Sequence, residues 1–188
     1  MERDTILITG ATGQQGGAVA KSLMRRGQKV RLLTRNRAKA ASLEKLGAEV
    51  VTGTLTDLHS LDAALKGVKK LFLMTTFLEE GLAAEVQQGI TASDAAKAAG
   101  VEHLVYTSVS SANRKTGIPH FDTKLQVEQH IKEIGLPATL LRPTAFMENF
   151  STFFAPSAEG ILSLPLRPET KLQWIALKDI GEFAAEAF

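Results

Sequence analysis

Cysteine is absent from the 188 residues, and tyrosine and tryptophan occur once each. Without cysteine there is no disulfide framework, no thiolate metal site and no cysteine nucleophile. An excess of one charge is also missing: 22 Lys+Arg stand against 20 Asp+Glu, a formal net charge of +2. So small and dispersed an excess makes no electrostatic footprint for nucleic acid, which is disfavoured as a partner. No apolar run approaches the roughly 18–20 residues of a membrane-crossing helix. The opening Glu2-Arg3-Asp4, followed by a short apolar strand, is not laid out as a secretory signal. The four histidines do not fall at metal-ligand spacings, so no metal site is expected. These absences leave the expectation of a soluble, cytoplasmic protein, of a length that one domain with a sizeable core accounts for.

What is present is a rhythm. Short apolar runs at Thr5–Thr9, Val30–Thr34, Glu49–Thr52, Lys70–Met74, His103–Thr107 and Ala138–Arg142 alternate with helical patterns. Continuous apolar stretches such as Ile6-Leu7-Ile8 and Leu71-Phe72-Leu73-Met74 read as parallel strands covered on both faces. The intervening helices are expected near Gln15–Arg26, Arg37–Leu46, Ser60–Leu65, Gly81–Ala99 and Phe121–Ile134. Gly27, Gly47, Gly67, Gly100 and Gly135 follow them, as left-handed C-caps require. Thr12 and Asp57 are the candidate N-caps. This α/β pattern predicts a Rossmann-type doubly wound parallel sheet in the order 3-2-1-4-5-6 over residues 1–143. After Pro143 the rhythm breaks. Residues 144–188 carry Phe146, Phe150, Phe153 and Phe154, with Pro156, Pro165 and Pro168, before a strand near Leu172–Ala176 and a helix from Lys178 to Phe188. That helix ends with no cap, glycine or polar tail. The segment reads as the start of a small, truncated C-terminal lobe.

Chemistry concentrates at the ends of the strands. Gly10-Ala11-Thr12-Gly13-Gln14-Gln15-Gly16 follows the first strand and opens the first helix. Small residues there let the backbone turn tightly and approach a pyrophosphate, whose charge sits on the free N–H groups of the helix N-terminus. At the end of strand two, Thr34-Arg35-Asn36-Arg37-Ala38-Lys39 holds three cations and no acid. Arg35 and Lys39 suit a 2′-phosphate, while the acid that reads a 2′-hydroxyl is missing, so NADP(H) is the expected cofactor. Strand three ends in Thr54-Leu55, strand four in Thr75-Thr76-Phe77 and strand five in Thr107-Ser108. The last two are strand-end hydroxyls or site residues, and Phe77 is core or site. His120 and Lys124 share a helix face if that helix starts early enough, with Asp122 as a candidate cap.

Gly10–Gly16, Arg35-Asn36, His120-Phe121-Asp122-x-Lys124 and Arg142-Pro143-Thr144-Ala145-Phe146-Met147-Glu148-Asn149 together resemble the NmrA-like family of atypical short-chain dehydrogenase/reductases. The resemblance covers essentially the whole chain. It implies that Lys124 approaches a nicotinamide ribose and that Phe146, Met147, Glu148 and Asn149 line the nicotinamide end. By the same resemblance, Thr75, Thr76 and Phe77 flank the adenosine side, and Gln87 reaches toward the cofactor.

The departures carry as much weight. The Tyr that usually stands four residues before the Lys is replaced by His120, and the one tyrosine, Tyr106, lies on strand five. Thr54 stands where relatives often carry an adenine-contacting Asp. Two function classes follow from the resemblance: an NADPH-dependent reductase of quinones or other small carbonyl compounds, with Lys124 and His120 as catalytic candidates, or a non-catalytic NADP(H) redox sensor acting on a regulatory protein partner. The partner is then a small molecule or another protein, with a homo-oligomer as a further option.

Overall fold

The computed structural model describes residues 4–164, 166, 167 and 169–188. The expectations that fell on Glu2, Arg3, Pro165 and Pro168 therefore lie outside the described residues. Six strands form one parallel sheet: β1 (Thr5–Thr9), β2 (Lys29–Thr34), β3 (Glu49–Thr52), β4 (Val68–Leu73), β5 (His103–Thr107) and β6 (Ala138–Leu141). Their order is β3-β2-β1-β4-β5-β6, as the pattern predicted.

Alternation along each strand splits the core in two. Leu7, Leu71, Leu73, Leu104 and Tyr106 face one side, against α3 (Leu58–Leu65), α4 (Leu82–Ala98) and α5 (Pro119–Glu133). Ile6, Ile8, Phe72 and Val105 face the other, against α1 (Gln14–Arg25), α2 (Ala41–Lys45) and α6 (Leu177–Glu186). Both faces are covered by helices, which explains the unbroken apolar runs. β6 departs from that description: it is an edge strand with alternating exposure, and Leu140 is 38% exposed.

Helix boundaries follow local chemistry. The five expected C-terminal glycines all adopt positive φ, from 65° at Gly135 to 102° at Gly47. Asp57 caps α3 by accepting from the N–H groups of His59 and Ser60. Thr12 is not a cap. Gly13 occupies the N-cap position of α1 with no side-chain bond, so that end of the helix is left open. The helix expected over Arg37–Leu46 is a 3-10 turn (Arg37–Ala40) leading into the short α2, and Asn36 starts it by accepting from Ala38 N–H at 3.0 Å. Asp122 does not cap α5 either, because α5 begins at Pro119, where a missing N–H costs nothing.

Beyond β6 the chain builds a second, two-stranded sheet. β7 (Ala145–Phe146) pairs in parallel with β8 (Trp174–Ile175), far along the sequence. Phe150 and Phe154 pack on Trp174, with ring centroids 4.6 and 6.3 Å away. Phe153, Ile161 and Leu162 are exposed on the excursion between the two strands. α6 lies on α1 so closely that a Cβ at Gly181 would come within 2.7 Å of the Ala18 carbonyl oxygen. Glu182 fastens the same contact through Arg25 at 2.6 Å and Arg26 at 2.8 Å. No helix among the described residues is long and apolar enough to cross a membrane.

Candidate functional site

A cleft of about 570 Å³ opens at the C-terminal ends of β1, β2, β3 and β4. Gly10, Thr12 and Gly13 form its floor, and Arg35, Asn36, Lys39, Thr54, Leu55, Thr76, Glu79, Glu80 and Gln88 line the rim. The floor is shaped by two glycines. Gly10 turns with φ +64°, and Gly13 N–H closes the turn onto Gly10 O at 2.9 Å. A Cβ on Gly16 would lie 2.5 Å from Gly10 O, so only glycine lets α1 approach the strand this closely. The first turn of α1 then presents N–H groups that have no acceptor within the helix. These features suit a pyrophosphate: an open, uncapped helix end, a close backbone and two cations at the rim.

Not every expected residue faces this cleft. Gln87 is exposed and donates to Thr91 Oγ1 at 2.8 Å, whereas Gln88 lines the cleft and accepts from Thr76 N–H at 3.2 Å. Gln15 accepts from Thr107 Oγ1 at 2.7 Å, which ties α1 to the end of β5. Ser108 Oγ is buried without a protein partner. Glu148 caps α6, accepting from Leu177 N–H at 3.0 and 3.1 Å. Phe146 belongs to β7 and Met147 is exposed.

A second cluster lies beside the cleft. Lys124 Nζ donates to Thr75 O at 2.8 Å and to Thr75 Oγ1 at 3.0 Å, and stands 3.0 Å from Glu85 Oε1. Glu85 is fully buried, and its other oxygen accepts from Thr123 Oγ1 at 2.5 Å. Burial pushes the Lys124 ammonium below its ordinary range, with Glu85 pulling the other way. Tyr106 is buried under this cluster: its hydroxyl meets Thr75 Oγ1 at 3.2 Å, and burial holds the phenol far above its usual value. It lies wholly buried on β5 and does not line the cleft, whereas the position four residues before Lys124 is held by His120. His120 does lie on the Lys124 face of α5, stacked on Phe77 with centroids 5.1 Å apart and edge-on to Phe121 at 4.9 Å. Phe77 is thus neither plain core nor a cleft wall. His130 sits 2.7 Å from Asp94 Oδ1, and His103 sits 3.1 Å from Thr139 Oγ1.

Glu79 and Glu85 escaped the sequence reading. Glu79 forms an ion pair with Arg35 across the cleft. The end of β2 carries no acid, as its sequence says, but the rim of the cleft carries two, Glu79 and Glu80, delivered from the turn after β4.

Comparison with known proteins places this geometry. The family model described as the NmrA-like family matches residues 2–188. The chain belongs to the NmrA-like family. An NAD(P)H azoreductase of Xenophilus azovorans is 31% identical over 97% of this chain and 62% of its own length. The crystal structure of an NADPH-dependent quinone oxidoreductase of Escherichia coli, complexed with NADPH, superposes with TM-score 0.84 at 32% identity, over 96% of this chain and 63% of that one. The chain thus spans somewhat under two thirds of these relatives. NmrA, a negative transcriptional regulator solved with NADP, shares the fold at TM-score 0.81 and 23% identity, over 96% of this chain and 60% of that one.

Proposed function

We propose that this NmrA-like chain binds NADP(H) in the cleft above β1 and belongs to an NADPH-dependent reductase of quinones or other small carbonyl compounds. The observation that carries the reading is the uncapped N-terminus of α1 behind the Gly10–Gly16 turn, with Arg35 and Lys39 on the same cleft. The names of the azoreductase and the quinone oxidoreductase support the reaction class. In this reading Gly10, Ala11, Thr12, Gly13, Gln14, Gln15 and Gly16 hold the pyrophosphate. Arg35, Asn36 and Lys39 hold the 2′-phosphate, and Thr54, Leu55 and Thr76 wall the adenosine. When bound, NADPH supplies the hydride; His120 is the titratable group available to a nearby acceptor oxygen. In this reading 1–143 is the nucleotide-binding unit, and within 144–188 helix α6 returns to that unit's core, which leaves the stretch between Pro143 and α6 for the substrate or a partner.

A second reading has one observation in its favour. Lys124 Nζ already donates to Thr75 O and Thr75 Oγ1 and is ion-paired with the buried Glu85, so a ribose hydroxyl competes with partners the lysine already has. With no Tyr beside it, the site then binds cofactor as a redox sensor for a protein partner, without turnover.

The test measures NADPH and NADH affinity, and NADPH consumption over a panel of small quinones. Arg35→Ala is expected to weaken NADP(H) binding by about one to two decades, as the loss of a charge-assisted contact of roughly 1.5–3 kcal/mol implies, and to leave NAD(H) nearly unchanged. Equal losses for both would overturn the assignment of Arg35. Tight NADPH binding without consumption of any quinone would favour the sensor.

A further inference from the structure

We infer that Glu79 is a cofactor-specificity residue that competes with the 2′-phosphate for Arg35 and offers an acceptor to a 2′-hydroxyl in its place. The inference rests on the dinucleotide reading above.

The topology places the two residues. β1 lies between β2 and β4 in the sheet. Arg35 follows directly on the end of β2, and Glu79 sits in the turn that follows β4, so their ion pair spans the end of β1 and the Gly10 turn. Both line the same cleft as Asn36, Lys39 and Thr54. Glu79 is not on a free tail. Gly81 N–H closes the turn onto Phe77 O at 2.9 Å, with Gly81 at φ +88°. Leu78 N–H donates to Thr76 Oγ1 at 3.2 Å, and Thr76 N–H is held by Gln88. These bonds fix the backbone from which the Glu79 carboxylate projects toward Arg35.

Charge then decides the consequence. Arg35 and Lys39 are matched on this rim by Glu79 and Glu80, so the rim is neutral although the end of β2 is strongly cationic. A 2′-phosphate, carrying about −1.5 to −2 charges, reaches Arg35 only by displacing Glu79 and meets the repulsion of both acids. A 2′-hydroxyl brings no charge and donates to a carboxylate. In dinucleotide-binding folds that acceptor comes from the end of strand two; here it comes from the opposite rim. The Arg35 guanidinium is raised chiefly by its hydrogen bond to Glu79, and Glu79 is lowered chiefly by Arg35. Both side chains are about half exposed, 54% and 53%, which limits the strength of their pair and keeps Arg35 available to a ligand.

The experiment uses adenosine 2′,5′-bisphosphate and adenosine 5′-monophosphate as probes, titrated calorimetrically into the whole chain, so that neither nicotinamide nor turnover enters. Glu79→Gln is expected to tighten the bisphosphate by about two- to fivefold at low salt, with less gain at high salt, and to leave the monophosphate equal or weaker. Glu79→Lys is expected to move the ratio further in the same direction. Glu80→Gln serves as the control for net charge and is expected to move the ratio less. An unchanged ratio in both Glu79 variants, an equal gain for both probes, or an equal effect of Glu80→Gln would overturn the inference while leaving the dinucleotide site standing. If the unaltered chain bound neither probe, the dinucleotide reading would fall and this inference with it.

Discussion

The Lys124 ammonium stands 3.0 Å from a carboxylate oxygen of Glu85 that no solvent reaches, so the cation projecting from α5 is neutralised by an acid on α4. Thr123 and Thr75 complete the set, and the four groups knit two helices to the end of β4.

Lys124→Ala therefore removes more than a ligand contact. It leaves Glu85 buried and uncompensated, for which a loss of about 3–5 kcal/mol in urea unfolding is expected. The paired change Lys124→Met with Glu85→Gln is expected to recover most of it. The pH response has a definite sign. The native Lys124 value lies below the ordinary 10.5, so between the two the unfolded chain binds the extra proton and stability rises with pH. That rise is expected to disappear in Lys124→Met. An unchanged stability in Lys124→Ala would show that the pair contributes little to folding.

The two loop glycines separate folding from binding. Gly16→Ala forces a Cβ to within 2.5 Å of backbone, and a fall of about 5–10 °C in Tm, roughly 2–3 kcal/mol, is expected. Gly13 is extended at φ −100°, and a Cβ there meets Gly10 O at 3.3 Å. Gly13→Val is expected to keep the fold by circular dichroism and to lose dinucleotide affinity by calorimetry. Retained affinity would place the nucleotide elsewhere.

Acid titration probes the attachment of α6. The Arg26 guanidinium foremost, with Arg25, holds the Glu182 carboxyl down at about 2, against an ordinary 4.5. A depressed native value stabilises the fold above the ordinary one, and that contribution is lost as pH falls toward the native one. Wild type and Glu182→Gln are expected to differ in Tm at pH 7 and to converge between pH 4.5 and about 2. A gap that stays constant across that range would mean that the Arg pairs do not stabilise α6.

His120→Phe preserves an aromatic ring between Phe77 and Phe121, so Tm and NADPH affinity are expected to hold. In a reductase that uses the imidazole as acid, turnover falls by about 10²–10⁴-fold. Robust turnover indifferent to this change would make solvent the proton source.

The sheet order and the tight turn between β1 and α1 were legible because their signals are local: unbroken apolar runs, helix-ending glycines and a glycine-rich loop. The acids were not. Glu79 and Glu85 follow β4 by sequence, yet they act on Arg35 from β2 and Lys124 from α5, and only the assembled sheet brings those partners together. Gln87 and Gln88 differ for a simpler reason. One residue along a helix turns the side chain by about 100°, so Gln88 faces the cleft while Gln87 faces solvent. The two-residue strands β7 and β8 are too short to carry a period, and the 3-10 turn at Arg37 hides inside a helical pattern.

Because β7 and β8 lie side by side, the chain leaves the body at Phe146 and re-enters it at Trp174 through the same doorway. Glu148, capping α6, and Phe150 and Phe154, packed on Trp174, tie the near end of the excursion to that doorway beside the rungs Ala145–Trp174 and Phe146–Ile175. Lengthening a loop whose two ends are held together costs only about 0.6 kcal/mol for each doubling of its length. Its length and composition can therefore drift while the register of the main sheet and the shape of the Gly10 turn stay fixed. On the function proposed above, such drift would alter the segment assigned to substrate or partner without disturbing the turn assigned to the nucleotide.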